Sequence, residues 1–123
     1  ARTGPPTVRL EQTLTEIERM FLQRRWPHVY VVNAEGKFCG AVSVHDFSPY
    51  MRSGVAPSDK LPDHLLQTEY PRVTPEMGLG RVLEVFSGHT GERLPLVDAQ
   101  NHLKGFLSKT DLILLLGESV GGL

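Results

Sequence analysis

The chain carries nearly the same message twice. Residues 6–51 lie over residues 71–116 at a constant offset of 65 and without a gap, matching Pro6 to Pro71, Val8 to Val73, Glu11 to Glu76, Leu14 to Leu79, Phe21 to Phe86, Val32 to Val97, Ala34 to Ala99, Gly40 to Gly105, Ser43 to Ser108 and Asp46 to Asp111. Each copy alone is too short to bury a competent core, so the two are expected to pack together as one pseudo-twofold unit, with any binding site where they meet.

Within each copy the pattern is strand, helix, strand, turn, strand, helix. Thr7–Leu10 is a short strand, and Leu14, Ile17, Met20 and Phe21 recur at helical spacing opposite Glu16, Glu18, Arg19, Arg24 and Arg25. The first helix is predicted over about 13–25. Trp26 and Pro27 break it, and His28–Val32 is a β-branched and aromatic run of the kind found in buried strands. Phe38–Ser43 returns, and a helix begins near Asp46. In the second copy Leu79, Val82, Val85 and Phe86 form the helix face, followed by strands at 94–97 and 103–108 and a helix from Asp111. Gly36 falls on Asn101 in the turn, and these residue types most readily accept a left-handed backbone. The expected class is α+β, with two packed three-stranded sheets flanked by helices.

The expected boundaries are a first repeat at 1–52, an exposed linker at 53–60 rich in Ser, Gly and Pro, a second repeat at 61–117 opening with a short helical lead-in, and a tail at 118–123. The first copy would need its own lead-in before Ala1, so the chain is expected to be a piece of a longer protein.

A net charge of −1 with scattered basic residues argues against a nucleic-acid module. The longest apolar run, Leu112–Leu116, is too short to cross a bilayer, which argues against membrane insertion. The single cysteine, Cys39, has no partner for an internal disulfide and no Cys or His at metal-ligand spacing, so a reducing, cytoplasmic setting is expected and no metal site. Five histidines, at 28, 45, 64, 89 and 102, show no spacing that fixes a nucleophile against a base, so no catalytic residues are assigned. Trp26 is taken as helix-end packing, and Arg24 and Arg25 as a solvated helix face.

The strongest local constellation is Gly40-Ala-Val-Ser43-Val-His-Asp46, mirrored by Gly105-Phe-Leu-Ser108-Lys-Thr-Asp111. A strand ends at a hydroxyl, and a carboxylate follows three residues later at a helix start. One account is capping of free backbone amides with an acid that complements the helix dipole. The other adds a ligand, since a helix N-terminus accepts anions, a serine can bond phosphate and an aspartate can take two ribose hydroxyls. Either account explains one copy; two copies related by a twofold would set two such corners on a shared cleft.

A duplicated module with Gly-x-x-Ser-x-x-Asp at a strand end resembles the CBS domain pair, or Bateman module, over about 6–116, including the approach Arg93-Leu-Pro95-Leu-Val97-Asp98. The resemblance implies a non-catalytic regulatory module with ATP, ADP, AMP or a related adenosyl compound in clefts between the sheets. It maps ribose and phosphate contacts onto Asp46 with Ser43 and Asp111 with Ser108. It frames the base with Val8, His28 and Tyr30, and with Val73, Arg93 and Pro95. The copies depart from each other where His28 stands opposite Arg93 and where the first lacks the proline found at Pro95. The runs 70–77, 91–98 and 108–112 look most like the cytoplasmic CBS regions that follow bacterial CLC-type chloride channels and transporters. Magnesium transporters, CorC-like proteins and IMP dehydrogenases carry similar pairs. The partners implied are a parent membrane transporter domain and a second copy, in a homodimer through the helices around Leu79–Phe86 and Leu112–Leu116. The rival to a sensor is a ligand-free dimerisation scaffold.

Overall fold

Strands buried on both faces read as unbroken apolar runs, and helices that cover one face read as stripes. The computed structural model, which describes residues 4–121, shows both in the first copy, while in the second the strand Leu103–Ser108 is only partly buried. The order is β1 (Thr7–Arg9), α1 (Leu14–Arg24), β2 (His28–Val32), β3 (Phe38–Ser43) and α2 (Val44–Arg52), then a 3-10 turn (Asp63–Leu65), α3 (Leu79–Ser87), β4 (Arg93–Val97), β5 (Leu103–Ser108) and α4 (Lys109–Gly121). The last helix runs into the segment expected as a tail. Residues 1–3 of the first repeat and 122–123 of that tail lie outside the described residues.

The duplication extends to hydrogen-bond register. β2 pairs antiparallel with β3 as His28 to Ser43, Tyr30 to Ala41 and Val31 to Gly40, with an irregularity at Val31/Val32. β4 pairs with β5 as Arg93 to Ser108, Pro95 to Phe106 and Leu96 to Gly105, with the same irregularity at Leu96/Val97. The first sheet has three strands in the order β1-β2-β3; the second, expected to have three, has two. Its first strand survives only as a parallel bridge from Val73 to Leu96. Two prolines account for the loss. In the first copy Tyr30 N donates to Pro6 O at 2.9 Å and Leu10 N to Val32 O at 3.0 Å. The equivalent positions in the second copy are Pro95 and Pro75, which have no N–H to give.

Alternation along the strands splits the interior. Val29, Val31 and Val42 point under α1 and α2, packing with Leu14, Ile17, Phe21 and Phe47. Tyr30, Phe38 and Ala41 point the other way, into a cluster with Tyr70, Val73, Val82, Phe86, Leu94, Val97 and Leu112. The first copy thus lends one face of its sheet to the core of the second.

The seam is closed by backbone. Lys37 and His102, equivalent residues, form an antiparallel bridge. Around them Phe38 N donates to Asn101 O at 2.8 Å and Leu103 N to Gly36 O at 3.0 Å, a pair exchanged by the local twofold. Asn101 Nδ2 adds a bond to Phe38 O at 2.9 Å. Both turn residues are left-handed as the sequence predicts, with φ of 81° at Gly36 and 69° at Asn101. The lead-in of the second copy also crosses over: Gln67 N donates to Ala41 O at 2.9 Å and Ala41 N to Gln67 O at 3.2 Å. The linker, though exposed, is tied down, since Asp59 O and Pro57 O accept from the first amides of α1, Leu14 N at 2.8 Å and Thr15 N at 3.1 Å.

The crossover requires Gly40. Its φ is +149°, and a Cβ there would stand 2.5 Å from the Gln67 carbonyl oxygen, whereas a Cβ on Gly105 would meet nothing within 4 Å. Gly40→Ala is expected to cost about 2 kcal/mol or more in thermal or urea unfolding, and Gly105→Ala less than about 1 kcal/mol. Equal losses at the two glycines would show that the crossover is not what demands the residue.

Candidate functional site

Each copy passes from strand to helix without an intervening loop, so the last strand residue is also the helix cap. Ser43 Oγ accepts from His45 N at 3.1 Å. Ser108 Oγ accepts from Asp111 N at 2.9 Å while Asp111 Oδ2 accepts from Ser108 N at 3.3 Å, a reciprocal capping box. Both serines are buried, at 7% and 8% exposure. The chain entering the preceding strand lies across each helix start: Val44 N donates to Pro27 O and Lys109 N to Glu92 O, both at 2.8 Å. Here the copies diverge. Glu92 Oε2 also accepts from Thr110 N at 3.2 Å and Thr110 Oγ1 at 3.0 Å, and its equivalent Pro27 has no such group.

Two clefts flank the seam. One, of about 410 Å³, is lined by Trp26, Glu92, Arg93, Phe106, Ser108, Thr110 and Asp111, so that a first-copy tryptophan faces the second copy's corner. The Trp26 ring meets Phe106 edge-on at 4.9 Å. The Arg93 guanidinium lies over the indole at 4.1 Å and that of Arg24 at 5.6 Å. The other cleft, of about 650 Å³, lies against His28, Tyr70, His89, Gly91 and the crossing segment 66–69. The twofold exchanges Arg93 with His28 and Trp26 with Gly91. An indole therefore walls one cleft where the other has no side chain.

Of the expected site residues, Ser108, Asp111 and Arg93 meet on the smaller cleft, and His28 lines the larger. Ser43 and Asp46 line neither, although Ser43 pairs with His28 in the ladder. Val8, Val73, Tyr30 and Pro95 are buried in the core and also line neither of these two clefts. Tyr30 faces the seam, edge-on to Trp26 at 6.3 Å. Trp26, Glu92, Phe106 and Thr110 on one cleft, and Tyr70 and His89 on the other, were not among the expected residues. The available signal was mismatch between the copies, as at Trp26 against Gly91 and Glu92 against Pro27.

The larger cleft is a cluster of rings. Tyr70 stands 5.1 Å from His28 and 5.3 Å from His89. His89 Nε2 lies 3.1 Å from Arg93 O and 3.3 Å from Tyr70 Oη. Because a carbonyl only accepts, the first contact puts the proton on Nε2. Burial pushes the Tyr70 hydroxyl up to about 12. Burial chiefly, then the neighbouring His89 and His45, lowers the pKa of His28 against a smaller upward pull from Asp46. Burial likewise lowers that of His89, opposed by its bond to Arg93 O and reinforced by Lys109. Among the described residues no group of three or more His, Cys, Asp and Glu could hold a metal ion, and no helix is long and apolar enough to cross a membrane.

The family model for the CBS domain matches residues 1–53 and 63–118. No curated protein matches the sequence significantly. Among solved structures, a CBS domain pair/ACT domain protein of Thermotoga maritima superposes with a TM-score of 0.76 at 24% identity, over 94% of this chain and 90% of that one. The cytosolic domain of the Mg2+ channel MgtE, in complex with ATP, gives 0.71 at 19% identity over 89% of this chain and 44% of that one. CbpB in complex with c-di-AMP gives 0.78 at 13% identity over 96% and 80%.

Both cleft histidines have native pKa values below the ordinary 6.5. The unfolded chain therefore takes up protons first as pH falls, and stability contributed by the neutral rings is lost below about pH 6.5. The melting temperature is expected to fall as the pH drops below about 6.5. A His28→Gln, His89→Gln double variant should flatten that fall; an equally steep fall in the variant would place the sensitivity elsewhere.

Proposed function

Because the chain belongs to the CBS domain family, we propose that it is a regulatory module whose clefts take an adenine nucleotide or related adenosyl compound and report it to a larger protein. The observation that carries this reading is the smaller cleft, which sets Ser108, Asp111 and Arg93 of one copy against Trp26 of the other. A ligand there touches both copies at once, so its binding energy depends on how they are oriented, and occupancy shifts that orientation. The capping box uses Oδ2 of Asp111, which leaves Oδ1 to accept a ribose hydroxyl. Trp26 and Phe106 offer an apolar wall for a base. The complexes of structurally similar proteins with ATP and with c-di-AMP, both adenine compounds, support the ligand class.

The parent in this reading is an ion transporter, with the module on the cytoplasmic face of the membrane. The runs 70–77, 91–98 and 108–112 favour a CLC-type chloride channel or transporter, and the structural likeness to a magnesium channel's cytosolic domain keeps that class of parent beside it. In this reading the module acts by what it binds, as a regulatory and not a catalytic unit.

One observation favours a second reading, a scaffold that pairs with a second copy. Leu79 and Leu83 on α3, and Ile113, Leu114 and Leu115 on α4, are exposed.

Melting with millimolar ATP, ADP, AMP or adenosine separates the two. A ligand at a hundred times its dissociation constant stabilises by about 2.7 kcal/mol. The expected result is an upward shift with at least one of the four, lost in Asp111→Asn. No shift with any of them, together with a concentration-dependent dimer, would establish the scaffold instead.

A further inference from the structure

The anion position at the start of α4 is filled by the protein's own side chain. A helix N-terminus holds phosphate through its first free amides. In α4 each of the first three is already committed: Lys109 N to Glu92 O at 2.8 Å, Thr110 N to Glu92 Oε2 at 3.2 Å, and Asp111 N to Ser108 Oγ at 2.9 Å. The Glu92 carboxylate also holds the Thr110 hydroxyl, the other phosphate donor at this corner, at 3.0 Å.

Charge points the same way. The cleft lining carries two carboxylates, Glu92 and Asp111, against one cation, Arg93, whose guanidinium is laid on the Trp26 ring at 4.1 Å. Two further cations stand nearby but are engaged elsewhere: Arg24, 5.6 Å from the Trp26 ring, donates to Gly4 O at 2.6 Å, and Lys109 is turned to the far side, where its Nζ donates to His89 O at 3.1 Å. An entering phosphate would meet a lining in which carboxylates outnumber cations, and to reach the helix start it would have to expel Glu92.

We propose that Glu92 is a built-in anion that screens phosphate out of the Trp26–Asp111 cleft, so that this cleft selects an adenosyl ligand without phosphate, such as a neutral nucleoside, over a phosphorylated nucleotide. The inference rests on the sensor reading and refines its ligand. The screen belongs to one cleft only, since the equivalent of Glu92 in the first copy is Pro27, which has no carboxylate.

The test is calorimetric binding of adenosine and of AMP to the wild-type chain, to E92Q and to Asp111→Asn. Glu92 is exposed, and the glutamine keeps an oxygen for Thr110 while removing the charge, so the fold should persist; the melting temperature of unliganded E92Q checks this. Wild type is expected to bind adenosine about tenfold more tightly than AMP, a difference of about 1.4 kcal/mol. E92Q should tighten AMP about five- to tenfold, with adenosine little changed and the gain shrinking in high salt. Asp111→Asn should weaken adenosine, placing the binding in this cleft. AMP binding wild type as tightly as adenosine, or an AMP-to-adenosine ratio unmoved by E92Q, overturns the screen and leaves the sensor reading standing. Absence of binding by either compound to both wild type and E92Q overturns the screen, and the sensor reading falls with it only if ATP and ADP also leave the melting temperature unmoved.

Discussion

The pairing of two equivalent turns across a local twofold, with Lys37 opposite His102, fixes the rest of this molecule. β2 and β3 are buried on both faces, and one helix layer can cover only one of them. The second face has to be buried against the other copy, and the exchanged bonds from Phe38 N to Asn101 O and Leu103 N to Gly36 O set the register in which that happens. A one-residue slip would turn Tyr30 and Ala41 away from the seam and valines into it. Once the turns are locked, the strand-to-helix corner of the second copy faces Trp26 of the first.

Within this symmetric frame, the chemistry resides in the departures from symmetry. Pro75 and Pro95 remove two donors and reduce a strand to a bridge. Trp26 walls one cleft, and its equivalent Gly91 opens the other. Glu92 closes one helix start with a carboxylate, and Pro27 offers only its carbonyl to the other. The two clefts therefore share ancestry and backbone but not charge or shape. One is an aromatic and acidic corner, the other a pocket of histidine and tyrosine rings whose neutral forms are favoured by burial.

Strand and helix periodicity, the offset of the repeat and the left-handed pair Gly36 and Asn101 were all legible in the sequence, because each depends on local stereochemistry. So was the serine and aspartate pair at the helix start, since a capping box spans only four residues. The reduction of the second sheet was written there too, as prolines at two positions whose partners donate in the first copy, but recognising it needs the ladder register. Trp26 shows the limit most clearly. Its helical neighbours predict packing at a helix end, and it does pack; yet the surface it packs against belongs to the other copy, with Arg93 67 and Phe106 80 residues away in sequence.

What the sequence determined by itself was the architecture of two copied halves and the identity of the polar corners, since those follow from short-range pattern and from repetition. What only the tertiary structure decided was which residues from opposite halves share a cleft, and that the Glu92 carboxylate reaches the start of the last helix. The reason is physical: long-range juxtaposition is set by how two sheets dock, and no local preference in the chain encodes the distance between Trp26 and Arg93, or between Glu92 and Thr110.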